Sequence, residues 1–166
     1  MKIIYLASFE AQHPSFDVVY QDINGKRDIG GDMMDVDLTP YDVIIATPPC
    51  NWWSNAFRTT RKISQYAIDT SHLLPGILAK LLSINKPFII ENVRNAPLFK
   101  SHGLFDKGCY IYFVGRHTYW TNVPFNPSNI IQIFDNIQFS SKNKRQGGSN
   151  VQAVIDYWLE VVTACK

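Results

Sequence analysis

The chain is 166 residues long, 46% hydrophobic and 18% charged, with a net charge of +2. That size and balance fit one globular domain over residues 1–166 and exclude a disordered chain. No apolar run approaches a bilayer span, and the stretch MKIIYLASFEAQHP meets Glu10 too early for a secretory leader. Cys50, Cys109 and Cys165 are odd in number and lack metal-ligand spacing, which argues against a disulfide framework and for a reducing, cytoplasmic setting. His13, His72, His102 and His117 show no ligand spacing either, so no metal site is expected. The small net charge does not announce a nucleic-acid binder. Basic residues cluster only locally, as Arg58, Arg61 and Lys62 and again as Lys142, Lys144 and Arg145.

In chain order, KIIYLA (2–7) reads as a buried strand, and FDVVYQDI (16–23) as a second one ending near an Asn-Gly turn at 24–25. The acidic GGDMMDVDL follows, then a third strand, YDVIIAT (41–47). Residues 61–84 carry helical spacing through Leu73, Leu74, Ile77, Leu78, Leu81 and Leu82, with Pro75 starting the second half or kinking the whole. KPFIIENV is the fourth strand, and residues 107–115 the fifth, with Cys109 buried and inert inside it. The tract from Phe125 to Ser149 is loop-dominated, and NVQAVIDYWLEVVTACK is an amphipathic helix. Strands alternating with helices predict an α/β domain on a largely parallel sheet.

Ligands of open α/β sheets bind beyond the carboxyl ends of the strands. Asp22, Asp32, Cys50 and Glu91 all fall at or just after such ends. A lone aspartate there is usually a turn residue, but four chemically able groups together point to an enzyme. In IIATPPCNWWSN (44–55) two prolines restrict the backbone before Cys50, so that a thiolate is held at a fixed angle. A carboxyl from Glu91 could protonate a substrate while the sulfur attacks it. Carbon 6 of cytosine suits that pair: protonation at nitrogen 3 makes it attackable, and sulfur addition turns carbon 5 into a nucleophile. Trp52 and Trp53 are expected to wall the pocket, with core packing as the alternative.

These residues resemble the cytosine carbon-5 DNA methyltransferase family. PPCNWWS is similar to its nucleophile motif Pro-Cys-Gln-x-Phe-Ser, matching at Pro49, Cys50 and Ser54. ENV (Glu91, Asn92, Val93) is its second catalytic motif unaltered, and GRHTYWTN resembles its Gln-x-Arg-x-Arg motif, with Arg116 at the first arginine. The resemblance implies a truncated Rossmann-like, S-adenosylmethionine-dependent fold acting on DNA, with Cys50, Glu91 and Arg116 catalytic. It puts Ala7, Asp22, Ile23, Asp32, Pro48 and Asn150 around S-adenosylmethionine, and Pro49, Trp52, Trp53, Ser54, Asn92 and Val93 around the base. It also implies a phage or bacterial setting.

Two departures stand beside it. The family's first strand ends in Phe-x-Gly-x-Gly, whereas YLASFEAQHPSFD contains no glycine and is too short for a turn plus a full helix. The stretch before the last helix is too short for an independent target-recognition domain. Relaxed sequence preference, single-stranded DNA or a protein partner for recognition are therefore expected. Two alternatives stay open: a degenerate relative that binds nucleic acid or a partner without catalysis, and a Cys–Glu pyrimidine enzyme using another donor.

Overall fold

The computed structural model of the chain describes residues 1–9, 11–54, 64–94, 96, 108–126, 128 and 147–164. Among them seven strands form one sheet: β1 (Ile3–Leu6), β2 (Val18–Asp22), β3 (Ile29–Gly30), β4 (Val43–Ala46), β5 (Phe88–Val93), β6 (Tyr110–Val114) and β7 (His117–Thr121). Their order is β3-β2-β1-β4-β5-β7-β6; β3 through β5 run parallel, and β7 is antiparallel to both its neighbours. The helices among the described residues are α1 (Gln65–Thr70), α2 (Leu73–Leu82) and α3 (Gly147–Ala164). The mixed α/β sheet expected from the strand pattern is thus present.

β1 and β4 are buried at every position, because helices cover the sheet on both faces. On one face Leu73, Leu74, Ile77, Leu78 and Leu81 of α2 pack against Ile4, Leu6, Ile44, Phe88, Ile90 and Trp120. On the other, Val154, Ile155, Trp158, Leu159 and Val162 of α3 meet Ile3, Tyr5, Val43, Ile45, Ile89 and Tyr119. Both helices use the three-to-four spacing of a single apolar stripe, and each fully buried aliphatic side chain contributes about 1.5–3 kcal/mol. Trp158 Nε1 donates to Thr121 Oγ1 at 3.0 Å, so its polar atom does not penalise burial.

Two expectations change. Helical residues of the 61–84 segment form two helices, and the break falls at Ser71–His72 rather than at Pro75. Pro75 is the third residue of α2, where a backbone N–H would have no acceptor, and Gly76 N makes the first helical bond, to His72 O at 2.9 Å. The second change is an added strand. HTYWT pairs with both β5 and β6 and separates them. Gly115, at φ 59°, opens the two-residue Gly115-Arg116 hairpin loop, where Val114 faces His117. Cys109 is buried as expected, although it precedes β6 rather than lying inside it.

Candidate active site

The strand order reverses between β1 and β4: the chain goes outward to β2 and β3, then returns to build β4 and β5 on the other side. Loops leaving the two neighbours diverge there and open a crevice. A cavity of about 580 Å³ occupies this place, of the size expected for a small-molecule site. Ala7 and Phe9 line it after β1, Asp22, Ile23 and Asn24 at the end of β2, and Asp32 and Met33 beyond β3. Thr47 through Asn51 line it after β4, Glu91 and Val93 on β5, and His117 at the start of β7. Tyr66, Thr70 and Leu73 complete the lining from the helices.

The turn after β1 takes a shape usually left to glycine. Ala7 and Phe9 hold φ of 52° and 46°, the left-handed region that glycine enters without strain. Their spacing is that of the two glycines in Phe-x-Gly-x-Gly when Tyr5 is set on the phenylalanine. Hydrogen bonds hold the turn in this shape. Buried Gln21 accepts from Ala7 N through Oε1 at 2.8 Å, and its backbone oxygen accepts from Ser8 N at 2.9 Å. Thr47 Oγ1 donates to Ala7 O at 2.9 Å, and Arg27 donates to Ala11 O while stacking over Tyr20. Among the described residues no helix lies between β1 and β2, in agreement with the short spacing.

At the β2 end Asp22 is nearly buried, and its Oδ1 accepts from both Asn24 N and Asn24 Nδ2 at 2.9 Å. Asp32 Oδ1 accepts from Met34 N at 2.8 Å. Both are therefore turn residues as well as cavity residues. Ile23 and Phe9 leave 65% and 69% of their surface exposed at this end, an apolar rim on an otherwise polar loop cluster. Those surfaces suit a flat aromatic ring.

At the other end, Cys50 is partly buried and is a free thiol. Burial pushes it above the ordinary thiol range, and the nearby Glu91 charge pushes it further. Its carbonyl accepts from Trp53 N at 3.0 Å and Ser54 N at 2.9 Å, which turns the chain sharply away from the cavity. Asn92 is buried and fastens the two strand ends together. Its Nδ2 donates to Pro48 O at 2.9 Å, while its Oδ1 accepts from Val93 N at 2.9 Å. Glu91 Oε1 lies 2.5 Å from His117 Nδ1, with side-chain exposures of 13% and 22%. Tyr5 and Tyr119 beneath are held as neutral phenols, first by burial and then, for Tyr119, by the Glu91 charge.

The cavity thus brings together Ala7, Asp22, Ile23, Asp32, Pro48, Pro49, Cys50, Glu91 and Val93. Arg116 sits elsewhere: it is exposed on the β6–β7 turn, where its backbone oxygen accepts from Arg94 N at 2.8 Å. His117, the next residue, is the one that reaches Glu91. The tryptophans divide. Trp53 is buried in the core cluster under α2, while Trp52 is 39% exposed and packs edge-on against it, and neither lines the cavity. The side chain of Asn150 and both basic clusters lie outside the described residues.

Sequence reasoning passed over Gln21, Thr47, Phe9 and His117. Gln21 carried a signal, a polar residue within the apolar strand run VVYQD. His117 carried a fainter one, the Gly-x pair at 115–116 between aromatic-rich runs, which marks a hairpin and sets its register.

Among the described residues no group of three or more His, Cys, Asp or Glu side chains is placed to hold a metal. Among them, too, no helix is long and apolar enough to cross a membrane. No family model matches the sequence, and no curated protein matches it. A solved structure of the Entamoeba histolytica methyltransferase EhMeth is similar over 75% of this chain and 53% of its own, at 17% identity and a TM-score of 0.39. The chain spans about half the length of that protein, and a likeness of this size fixes neither fold nor activity.

Proposed function

We propose that the chain transfers a methyl group from S-adenosylmethionine to carbon 5 of cytosine in DNA. The observation that carries this reading is one continuous cavity with the strained Ala7–Phe9 turn, Asp22 and Asp32 at one end and Cys50 with Glu91 at the other. A methyl donor and a base acceptor need such a shared space, because the transferred carbon must meet both.

The chain's residues fit the donor. The left-handed turn supplies the backbone path that glycines would give, Asp22 Oδ2 accepts no hydrogen bond among the described residues, and Ile23 and Phe9 offer apolar faces to an adenine. When bound, S-adenosylmethionine supplies a methyl group on a positively charged sulfur, electrophilic enough for a carbon nucleophile. Pro48 and Pro49 stiffen the approach to Cys50, and Asn92 anchors Pro48 to β5. The Cys50 proton passes through solvent to the Glu91 carboxylate, and the sulfur bonds to carbon 6 of a cytosine turned out of its stack. The displaced ring electrons are drawn toward nitrogen 3, which takes the proton held by Glu91. Carbon 5 is then the nucleophile. Once it is methylated, loss of its proton and of the sulfur restores the ring.

The experiment is transfer of labelled methyl from S-adenosylmethionine to cytosine-containing DNA, with a second arm using 5-fluorocytosine DNA. Without a proton to lose from carbon 5, the protein should stay attached through Cys50. Cys50→Ser should give neither product nor adduct, because a hydroxyl lacks the thiolate's nucleophilicity. Product formation by Cys50→Ser at the wild-type rate would overturn the covalent mechanism.

A further inference from the structure

We infer that His117 is the positioning residue of this site: its Nδ1–H holds Oε1 of Glu91 and offsets the carboxylate's charge toward Cys50, leaving the second oxygen to face the substrate. The inference rests on the reading above for its chemistry, but its first measurement does not. The distance is 2.5 Å, shorter even than the roughly 2.7–2.9 Å of a charge-assisted N–H···O contact, so the two groups share a hydrogen. An ionised carboxylate only accepts, so the shared hydrogen belongs to Nδ1. Among the described residues Glu91 Oε2 takes no hydrogen bond.

The pairing follows from strand register. Glu91 faces Tyr119 and Val93 faces His117 across β5 and β7, so the histidine begins β7 diagonally above the carboxylate. The two-residue turn before it fixes that register. Among the described residues, Cys50 from the end of β4, Tyr5 from β1 and Tyr119 on β7 also feel the Glu91 charge. Neither tyrosine hydroxyl bonds Glu91 among the described residues, so His117 is the neighbour that donates to the carboxylate there. A bare carboxylate beside Cys50 would oppose thiolate formation. With His117 bound to it, the same carboxyl group stays oriented while its repulsion of the sulfur is reduced.

The test reads Cys50 directly, by the rate of its alkylation with iodoacetamide in the protein alone, followed by mass spectrometry of the Cys50 peptide. Glu91→Gln removes the charge and should speed alkylation by about threefold to tenfold, the change in thiolate fraction for a shift of half to one pH unit. His117→Leu leaves the charge unopposed and should slow it by a similar factor. His117→Arg restores a donor with a permanent charge and should recover the wild-type rate or exceed it. The opposite signs matter, since a merely structural pair would loosen the site in both variants and speed alkylation in both. His117→Gln, closer in shape, serves if His117→Leu does not fold, and should fall between the leucine variant and wild type. Equal rates in wild type and the folded leucine or glutamine variant would overturn the inference, as would a faster rate. In the methyl-transfer assay His117→Leu should lower kcat about tenfold with KM for DNA unchanged, and His117→Arg should recover it. If no protein transfers methyl, the reading of the function falls, while the alkylation rates still decide the role of His117.

Discussion

Replacing Ala7 and Phe9 by glycine should make this protein more stable, the reverse of the usual effect. Both residues sit at left-handed φ, 52° and 46°, where a β-carbon costs roughly 1–2 kcal/mol. Glycine removes that strain but adds freedom to the unfolded chain, a loss of about 0.5–1 kcal/mol relative to alanine. The balance favours glycine by about 0–1.5 kcal/mol at Ala7, with a midpoint of about 0.75 kcal/mol. Phe9 leaves 69% of its surface in solvent, so little burial is lost there and a similar gain is expected. The two sites share one loop, so strict additivity is not assumed. For a chain of this length 1 kcal/mol moves Tm by about 2–4 °C, and the double variant should melt about 3–6 °C higher. Thermal denaturation followed by circular dichroism measures this, with Ala7→Val as the control that should melt lower. A fall in Tm for Ala7→Gly would mean that the turn stores no strain, and the account of how the chain dispenses with glycines would be wrong.

Asn92→Ala should cost about 2–3 kcal/mol in urea denaturation with an unchanged m value, because Pro48 O loses its buried donor and a small cavity is left; a loss below about 0.5 kcal/mol would show that the strand ends are held otherwise. Glu91→Gln should keep the fold and lower methyl transfer by roughly two to four orders of magnitude, as expected when an acid catalyst is removed, and equal activity would place Glu91 outside the chemistry. Cys109 is pushed up to about 11 by burial, so the folded protein keeps this proton after the unfolded chain has begun to lose its own. Stability is therefore full below about 8.5, the ordinary thiol value, and declines as pH rises toward about 11; Cys109→Ala should reduce that alkaline loss in urea titrations at pH 7 and pH 10, and an unchanged loss would assign it to other groups. Phe9→Gly, though stabilising, should weaken S-adenosylmethionine binding several-fold in isothermal titration by stripping the rim of an apolar face.

Much of the framework was legible because it rests on pattern. Four-residue apolar runs such as VIIA are buried on both faces and could hardly be anything but central strands. The ends of those strands carried Cys50 and Glu91, and a parallel sheet brings such ends to one edge whatever the loops do. His117 was hidden because its contact with Glu91 depends on cross-strand register, which the hairpin turn sets and composition does not reveal. Arg116, one residue earlier, belongs to that turn, and a shift of one position along a hairpin is enough to move a side chain off the site. Trp53 takes the alternative reading, core packing, for a similar reason: the turn closed on the Cys50 carbonyl carries it beneath α2 rather than toward the cavity.

The glycine-free turn shows why a motif's absence is weak evidence against its geometry. A glycine reaches φ near +50° by having no β-carbon, a property local to one residue. Here the same conformation is imposed from outside. Gln21 and Thr47 bond the Ala7 amide and carbonyl, and the Gln21 backbone bonds Ser8. Gln21 Nε2 also donates to Gly31 O at 2.5 Å, which ties the turn to the loop carrying Asp32. Each bond contributes about 0.5–1.5 kcal/mol net, so two or three suffice to hold a residue strained by roughly 1–2 kcal/mol. The shape is then distributed over β2 and β4 instead of being written at one position. It follows that Gln21→Leu should release the turn even though Gln21 belongs to neither half of the motif. Sequence comparison at the motif alone would not find it.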